Sequence, residues 1–386
     1  MITRAIQSKI LKYARQFPVV TITGPRQSGK TTLCKMAFPK KKYFSLEDLD
    51  VRNYARTDPR SFLEEALKKG AVIDEVQRVP ELLSYVQTIV DREKREGLFI
   101  LTGSQNFQLL HSLGQTLAGR TALATLLPFS YGEIYKKNSN INIDKLLYTG
   151  FYPRIFDKKL NPTEALSFYT STYIERDIRN IINVKDLSKF ELFLKLCASK
   201  TGQILNISSL GNDCGINHNT AKSWLSVLEA SYIIHLVRPH HSNFKKRLVK
   251  SPKLYFVDPG LAAYLLDIQS PKHIANHPLK GAIFETFVVS EILKARLNDG
   301  KQSNLYYFRD NIGNEVDLIL DYGNKVRPIE IKLGKTINSD FFKGLMYYKK
   351  LNSKNADKGC IIYGGKESSS RSKFDVFAYK DIDRIV

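Results

Sequence analysis

At 386 residues the chain exceeds what one hydrophobic core usually organises, so two or three domains are expected. Hydrophobic residues make up 43%, and no apolar run approaches the ~20 residues needed to cross a bilayer, which argues against a helical membrane protein. A net charge of +21 favours a polyanionic partner, while four scattered cysteines without a CxxC pair argue against a disulfide framework or a zinc site.

The first residues, MITRAIQSKILKYARQF, carry Arg4, Lys9, Lys12 and Arg15 and lack an apolar signal stretch, so a cytoplasmic protein is expected. Ile6, Ile10, Tyr13, Ala14 and Phe17 fall on one face of a helix. Residues 1–135 then alternate strand-like and helix-like patterns: PVVTITG, a helix from Lys30, KYFSL, a helix near 59–69, AVIDEV, a helix near 80–96 and LFILTGS. That alternation predicts a parallel sheet wrapped by helices.

Residues 24–31, Gly24-Pro25-Arg26-Gln27-Ser28-Gly29-Lys30-Thr31, satisfy G-x-x-x-x-G-K-[ST] directly after the strand VVTIT and at the start of a helix. The glycines let the backbone fold round phosphate, and amides at the helix start supply an anion site, with Thr32 completing the set expected to contact ATP. Lys30 is expected to reach the β- and γ-phosphates, and Thr31 to ligate Mg²⁺. Ala71 to Glu75 reads as a buried strand ending in two acids: Asp74 for the metal shell and Glu75 for the attacking water. Ser104, at the end of LFILTGS, is the expected sensor of the γ-phosphate. Arg120 is the first candidate for charge at the phosphoryl transition state, in its own subunit or across an oligomer interface. Arg26, Arg154 and Arg176 follow it, and an ordinary ion-pair role is the alternative for all four.

The runs VTITGPRQSGKTTL, YFSLEDLDVRNYARTDP, AVIDEVQRVPELL, ILTGSQN, LAGR, GFYPR and YIERDI together resemble a family of prokaryotic AAA-type ATPases. SPKLYFVDPGLAAYLL and GAIFETFVVSEILK resemble the C-terminal domain of that family, a domain labelled as of unknown function. The resemblance spans nearly the whole chain and implies ATPase activity.

Residues 136–185 read as a helical linker or lid, and 186–250 as a winged helix. In the helix from His218 to Ala230, Ala221, Trp224, Leu225 and Leu228 can face a core. His218, Asn219, Lys222, Ser223 and Ser226 would then face outward, as a recognition helix requires. The stretch Leu236 to Lys253 holds Arg238, Lys245, Lys246, Arg247, Lys250 and Lys253 without an acid, with His240 and His241 among them; it reads as a wing contacting phosphates. Packing or protein contact is the alternative use of such a module.

Residues 251–386 give helix 281–297, strands LYYFR, EVDLIL and VRPIEIK, helix 338–350 and strand CIIYG. This order resembles the PD-(D/E)XK nuclease fold. Glu330 and Lys332 share a strand face, and the turn at 321–324 is expected to bring Asp317 diagonally near Glu330. The resemblance implies a metal held by Glu285, Asp317 and Glu330, with Lys332 orienting water. The expected protein is α/β throughout: a Mg²⁺-ATPase coupled to a DNA-facing winged helix and a nuclease-like domain. The expected partner is nucleic acid, DNA before RNA, with a homo-oligomer allowed and no membrane partner. The alternative is a nucleotide-dependent switch or scaffold, binding nucleic acid or protein, whose nuclease-like domain does not cleave.

Overall fold

Short β-branched and apolar runs, punctuated by glycine or polar residues, become the strands of the N-terminal unit. β1 (Val19–Thr23), β2 (Lys42–Ser45), β3 (Ala71–Asp74), β4 (Phe99–Thr102) and β5 (Thr121–Thr125) form one sheet in the order β2-β3-β4-β1-β5. The computed structural model describes residues 2–103, 116–135, 141–172, 186–240 and 250–385. Ser104, Arg176, Lys245, Lys246 and Arg247 therefore lie outside the described residues.

Every pairing in this sheet is parallel. Parallel strands require crossovers that cover both faces, so β1, β3 and β4 are buried along their whole lengths. One face packs Ala71, Ile73, Phe99 and Leu101 with Phe62, Leu82 and Val86 of two crossover helices. The other packs Val20, Ile22, Val72 and Ile100 with Ile6, Ile10, Leu33 and Cys34, so the N-terminal helix Gln7–Tyr13 buries the face its spacing predicts. β5 carries no strong signal, because it is a partly exposed edge strand. β4 enters between β1 and β3, so the carboxyl ends of these three strands stand side by side.

The second unit comprises Ser130–Glu229, Ile233–Arg296 and Gln302–Val386. Its sheet contains β6 (Gln203–Ile204), β7 (Ile234–Pro239), β8 (Lys253–Phe256), β9 (Leu305–Arg309), β10 (Glu315–Asp321), β11 (Val326–Lys332), β12 (Cys360–Tyr363), β13 (Ser369–Ser370) and β14 (Asp375–Ala378). The order is β13-β14-β12-β11-β10-β9-β7-β8-β6. The segments read as separate at 136–185, 186–250 and 251–386 share this unit. The joint is a parallel pairing of β7 with β9, Arg238 against Tyr306 and Pro239 against Tyr307.

Helices Leu187–Ser199, Ile207–Asp213 and His218–Ala230 precede the antiparallel β7 and β8, with β6 pairing on β8. Asp186 and Asn206 cap the first two helices by accepting from the backbone N–H of Lys189 (3.2 Å) and Ser209 (3.0 Å). Phe190 and Phe193 meet Trp224 edge-on at 5.1 and 5.2 Å, which fixes the third helix against the first. Ala221, Trp224, Leu225 and Leu228 are buried, whereas His218, Asn219, Lys222, Ser223 and Ser226 are exposed. All four cysteines are free and buried.

Candidate functional site

The loop after β1 needs backbone shapes that only certain residues adopt. Gly24 has φ 145°, and a Cβ there would lie 2.1 Å from the carbonyl oxygen of Leu126. Gly29 has φ 91° and opens the helix Lys30–Ala37. Either position is closed to an ordinary L-residue. Ser28 is fully buried, and Lys30 is only 6% exposed. The Lys30 ammonium donates to the carbonyls of Gly24 (3.0 Å) and Pro25 (2.9 Å), which holds it within the turn of the loop. Burial lowers its pKa from the usual lysine value, and the nearby Glu75 and Asp74 oppose that shift.

Asp74 ends β3 beside this loop. One of its oxygens accepts from the Thr31 hydroxyl (2.7 Å) and the Tyr43 hydroxyl (2.6 Å), and the other accepts from the Thr102 hydroxyl. Burial, with Asp74 as hydrogen-bond partner, pushes the Tyr43 hydroxyl well above its ordinary pKa. Glu75 follows in a left-handed conformation, φ 59° and ψ 46°. For a non-glycine residue this costs on the order of 1–3 kcal/mol, strain that tends to persist at functional sites. Its backbone N–H donates to Thr102 Oγ1 (3.4 Å), and its carboxylate accepts from Gln77. The loop, Asp74 and Glu75 thus come together as expected. Thr32 is exposed on the first helical turn.

Three residues at this site were not anticipated. Thr102, at the end of β4, contacts Asp74 two positions before Ser104, the residue expected to sense phosphate. Tyr43 comes from β2. Arg4 is buried, donates to the Ser28 carbonyl (2.7 Å) and the Leu127 carbonyl (2.7 Å), and lies 4.7 Å from the Phe129 ring centroid. It ties the phosphate loop to the segment after β5. A polar residue ending a buried strand was the available signal for Thr102; nothing local marks Tyr43 or Arg4.

The Arg120 expectation is corrected for a role within its own subunit. Arg120 immediately precedes β5, and its carbonyl accepts from Val19 at the start of β1. In a parallel sheet that is the end opposite the phosphate loop, about 13 Å away at ~3.3 Å per residue. Its guanidinium instead makes a two-pronged bond to Asp91, at 2.6 and 2.8 Å. Arg154 belongs to the second unit.

In the second unit, β10 and β11 are antiparallel with Leu318 opposite Ile329, a register that puts Asp317 directly opposite Glu330 rather than diagonal to it. A register shift between Val316 and Ile319 in the pairing with β9 falls at Asp317, the kind of irregularity that re-aims a side chain. Lys332 bridges the two acids, 3.1 Å from Asp317 Oδ2 and 2.6 Å from Glu330 Oε1. Asp317 also accepts from the Ile331 N–H (2.8 Å), whereas Glu330 Oε2 is buried with no hydrogen-bond partner. Desolvation, then the neighbouring Asp317, raises the Glu330 pKa to about 8.

Lys253 and His240 require corrections to the wing. Lys253 is 2% exposed and lies 3.4 Å from Glu285 Oε1 and 2.5 Å from Glu315 Oε1. Burial opposes its charge, but Tyr255, Glu285, Asp317 and Glu315 together hold its pKa well above the lysine value. Glu285, on the helix Lys280–Asn298, accepts from the Tyr255 hydroxyl (2.5 Å), and burial raises its pKa to about 7. His240 is buried, with Nδ1 3.1 Å from the Tyr348 hydroxyl and Nε2 3.5 Å from Asp321. Both side chains are buried rather than exposed. Arg238 remains exposed, 3.5 Å from Glu229, and Lys222 is exposed on its helix.

The expected ligands Glu285, Asp317 and Glu330 stand in ion pairs with lysines. Among the described residues no three His, Cys, Asp or Glu side chains converge to hold a metal ion. Lys332 joins Asp317 to Glu330, and Lys253 holds Glu285 with Glu315. With every group ionised, the four carboxylates face three cations, Lys253, Lys332 and Arg309, and exceed them by one negative charge.

Residues 16–135 match the family model described as AAA domain. Residues 140–272 and 280–382 match two families described as domains of unknown function, DUF8612 and DUF4143. The uncharacterized protein Rv2008c of Mycobacterium tuberculosis is 28% identical over 338 residues, covering 86% of this chain and 74% of the relative. The uncharacterized protein Mb2031c of Mycobacterium bovis matches to the same extent. Among solved structures, the Walker-type ATPase PABY2304 of Pyrococcus abyssi aligns with a TM-score of 0.44 at 14% identity, over 67% of this chain and 94% of that one. AMPPCP-bound DnaA from Aquifex aeolicus aligns with a TM-score of 0.31 at 15% identity, over 58% and 86%. Among the described residues no helix is long and apolar enough to cross a membrane.

Proposed function

We propose that the AAA-type P-loop domain is a Mg²⁺-dependent ATPase. The observation carrying this reading is the Thr31–Asp74 hydrogen bond of 2.7 Å, which joins the phosphate loop to the acid ending β3. Thr31 and Asp74 offer hydroxyl and carboxylate oxygens, hard donors of the type magnesium takes, and they are the residues that would hold it. Bound there, the ion supplies positive charge to the β- and γ-phosphates. Lys30 exchanges its bonds to the Gly24 and Pro25 carbonyls for phosphate oxygens, and the loop amides bind the remaining oxygens. Glu75 orients the attacking water, with Thr102 fixing both Asp74 and the Glu75 backbone. ATP turnover measured by phosphate release is expected to require Mg²⁺ and to stop on chelation; turnover unaffected by chelation would overturn this assignment. Arg120→Ala is expected to turn over ATP at the parent rate in dilute protein, since Asp91 already holds that guanidinium. A loss appearing only as protein concentration rises would place Arg120 across an oligomer interface.

The second unit supports a nucleic-acid partner, with DNA preferred. The helix–strand–helix–helix–strand–strand order of residues 187–256 is that of a winged helix, and Lys222 lies on the exposed face of its third helix. The core of helix Lys280–Asn298, β9, β10, β11, helix Lys343–Leu351 and β12 follows the order of the nuclease-like fold. The unpartnered Glu330 Oε2, opposite Asp317, fits a divalent cation, which would polarise a phosphodiester. The competing reading, a nucleotide-dependent switch or scaffold that does not cleave, is favoured by Lys332 occupying the space between those acids. Plasmid incubated with Mg²⁺ or Mn²⁺, with and without ATP, is expected to be nicked by the parent and not by Asp317→Ala. No cleavage under any condition selects the scaffold.

A further inference from the structure

We propose that a cavity at the carboxyl ends of β11, β12 and β14 binds the phosphate groups of a nucleotide or an oligonucleotide. These strands are parallel neighbours, so the loops following them open on one edge of the sheet. That edge is where open α/β sheets bind ligands. The loops at 333–335, 364–367 and 379–380, with 141–144 and Lys280, line a cavity of about 1040 Å³. Its volume lies at the upper end of small-molecule sites, enough for a nucleotide or a short stretch of strand.

The charge of the lining selects the ligand. Lys280, Lys335, Lys366 and Lys380 face two acids, Asp144 and Glu367. Asp144 is engaged by Lys280 at 2.6 Å. Lys335 and Lys366 are exposed, on loops after different strands, so they flank the opening as two ammonium groups. Ammonium groups bind phosphate as point charges and ask for no particular orientation of the oxygens.

The loops carrying them are held in place. A Cβ at Gly364 would lie 2.2 Å from the Leu333 carbonyl oxygen, and one at Gly365 would lie 2.1 Å from the Tyr363 ring. Glycine at 364 therefore lets the β11 and β12 loops close on each other, and glycine at 365 leaves room for the Tyr363 ring. The Tyr363 hydroxyl donates to the Glu367 carbonyl (2.8 Å), and the Tyr379 hydroxyl to the Ile141 carbonyl (3.3 Å). Lysines on backbone fixed in this way lose less freedom when a ligand arrives.

The test compares the parent chain with a Lys335→Ala/Lys366→Ala double variant. The probe is a fluorescent twelve-nucleotide oligothymidylate, followed by anisotropy across a salt series. Both lysines are exposed, so the two proteins should melt at the same temperature. The variant is expected to bind about tenfold more weakly at low salt, with the log–log salt slope shallower by about 1.4, roughly 0.7 for each lost phosphate contact. Lys335→Arg/Lys366→Arg should restore both. Displacement of the oligonucleotide by millimolar thymidine monophosphate identifies a free nucleotide as the ligand, and failure to displace identifies the strand. Equal affinity and slope in parent and variant overturn the proposal while leaving nucleic-acid binding elsewhere on the chain intact. A parent that binds neither probe also overturns it.

Discussion

Lys30→Ala is expected to abolish ATP turnover and to weaken nucleotide binding by about 10- to 100-fold, the value of one hydrogen bond to a charged group, roughly 1.5–3 kcal/mol. The ammonium is buried, and its present partners are two carbonyls of its own loop. Removing it deletes the ammonium that those carbonyls hold, while Gly24 and Gly29 keep the loop's shape. Glu75→Gln should behave differently. The phosphate cradle is untouched, so binding should stay within about twofold while turnover falls by roughly 10²- to 10⁴-fold, the contribution of a positioned acid–base group. Calorimetry with a non-hydrolysable ATP analogue and a phosphate-release assay separate the two. Unchanged affinity in Lys30→Ala would remove this loop from the site, and normal turnover in Glu75→Gln would remove Glu75 from catalysis.

Lys253→Ala should be among the most destabilising single changes in the second unit, at about 3–5 kcal/mol, because it leaves buried acids without their counter-charge. For a unit of this size that corresponds to a fall in Tm of roughly 6–20 °C. Glu285 depends on this ammonium, Glu315 shares it with Arg309 (3.0 Å), and Asp317 contributes to the field that keeps it charged. Lys250→Ala is the control. Lys250 is exposed three residues earlier, and its loss should change stability by no more than about 0.5 kcal/mol. Adding Glu285→Gln to Lys253→Ala should recover part of the loss, since it removes one uncompensated charge; residues in one network do not add independently. Urea denaturation of the four proteins is sufficient. If Lys253→Ala and Lys250→Ala were equally stable, Lys253 would be a surface cation after all.

Contiguous motifs were legible in the sequence by itself. The phosphate loop and the acids after β3 each depend on local backbone: two positive-φ glycines, a helix start, and a buried strand that must end at a polar residue. Glu330 and Lys332 share a face because side chains alternate along a strand, and the exposed face of His218–Ala230 follows from the helical repeat. These periodicities are properties of short segments, so distant parts of the chain do not alter them.

Tertiary structure decided what was brought to those motifs. Thr102 meets Asp74 because β4 lies between β1 and β3, and strand order is not encoded in any one strand. Tyr43 and Arg4 reach the site from segments whose own sequences carry no sign of it. Arg120 follows β4 in sequence yet sits at the far end of the sheet, since a parallel strand must begin at the edge opposite its neighbours' loops. Lys253 counts as one more positive charge in a basic run until burial on β8 makes it the counter-ion of two carboxylates, Glu285 and Glu315. Charge counted along a sequence carries no information about dielectric or distance, and those two quantities decide whether a lysine offers itself to a ligand or neutralises the protein's own acids.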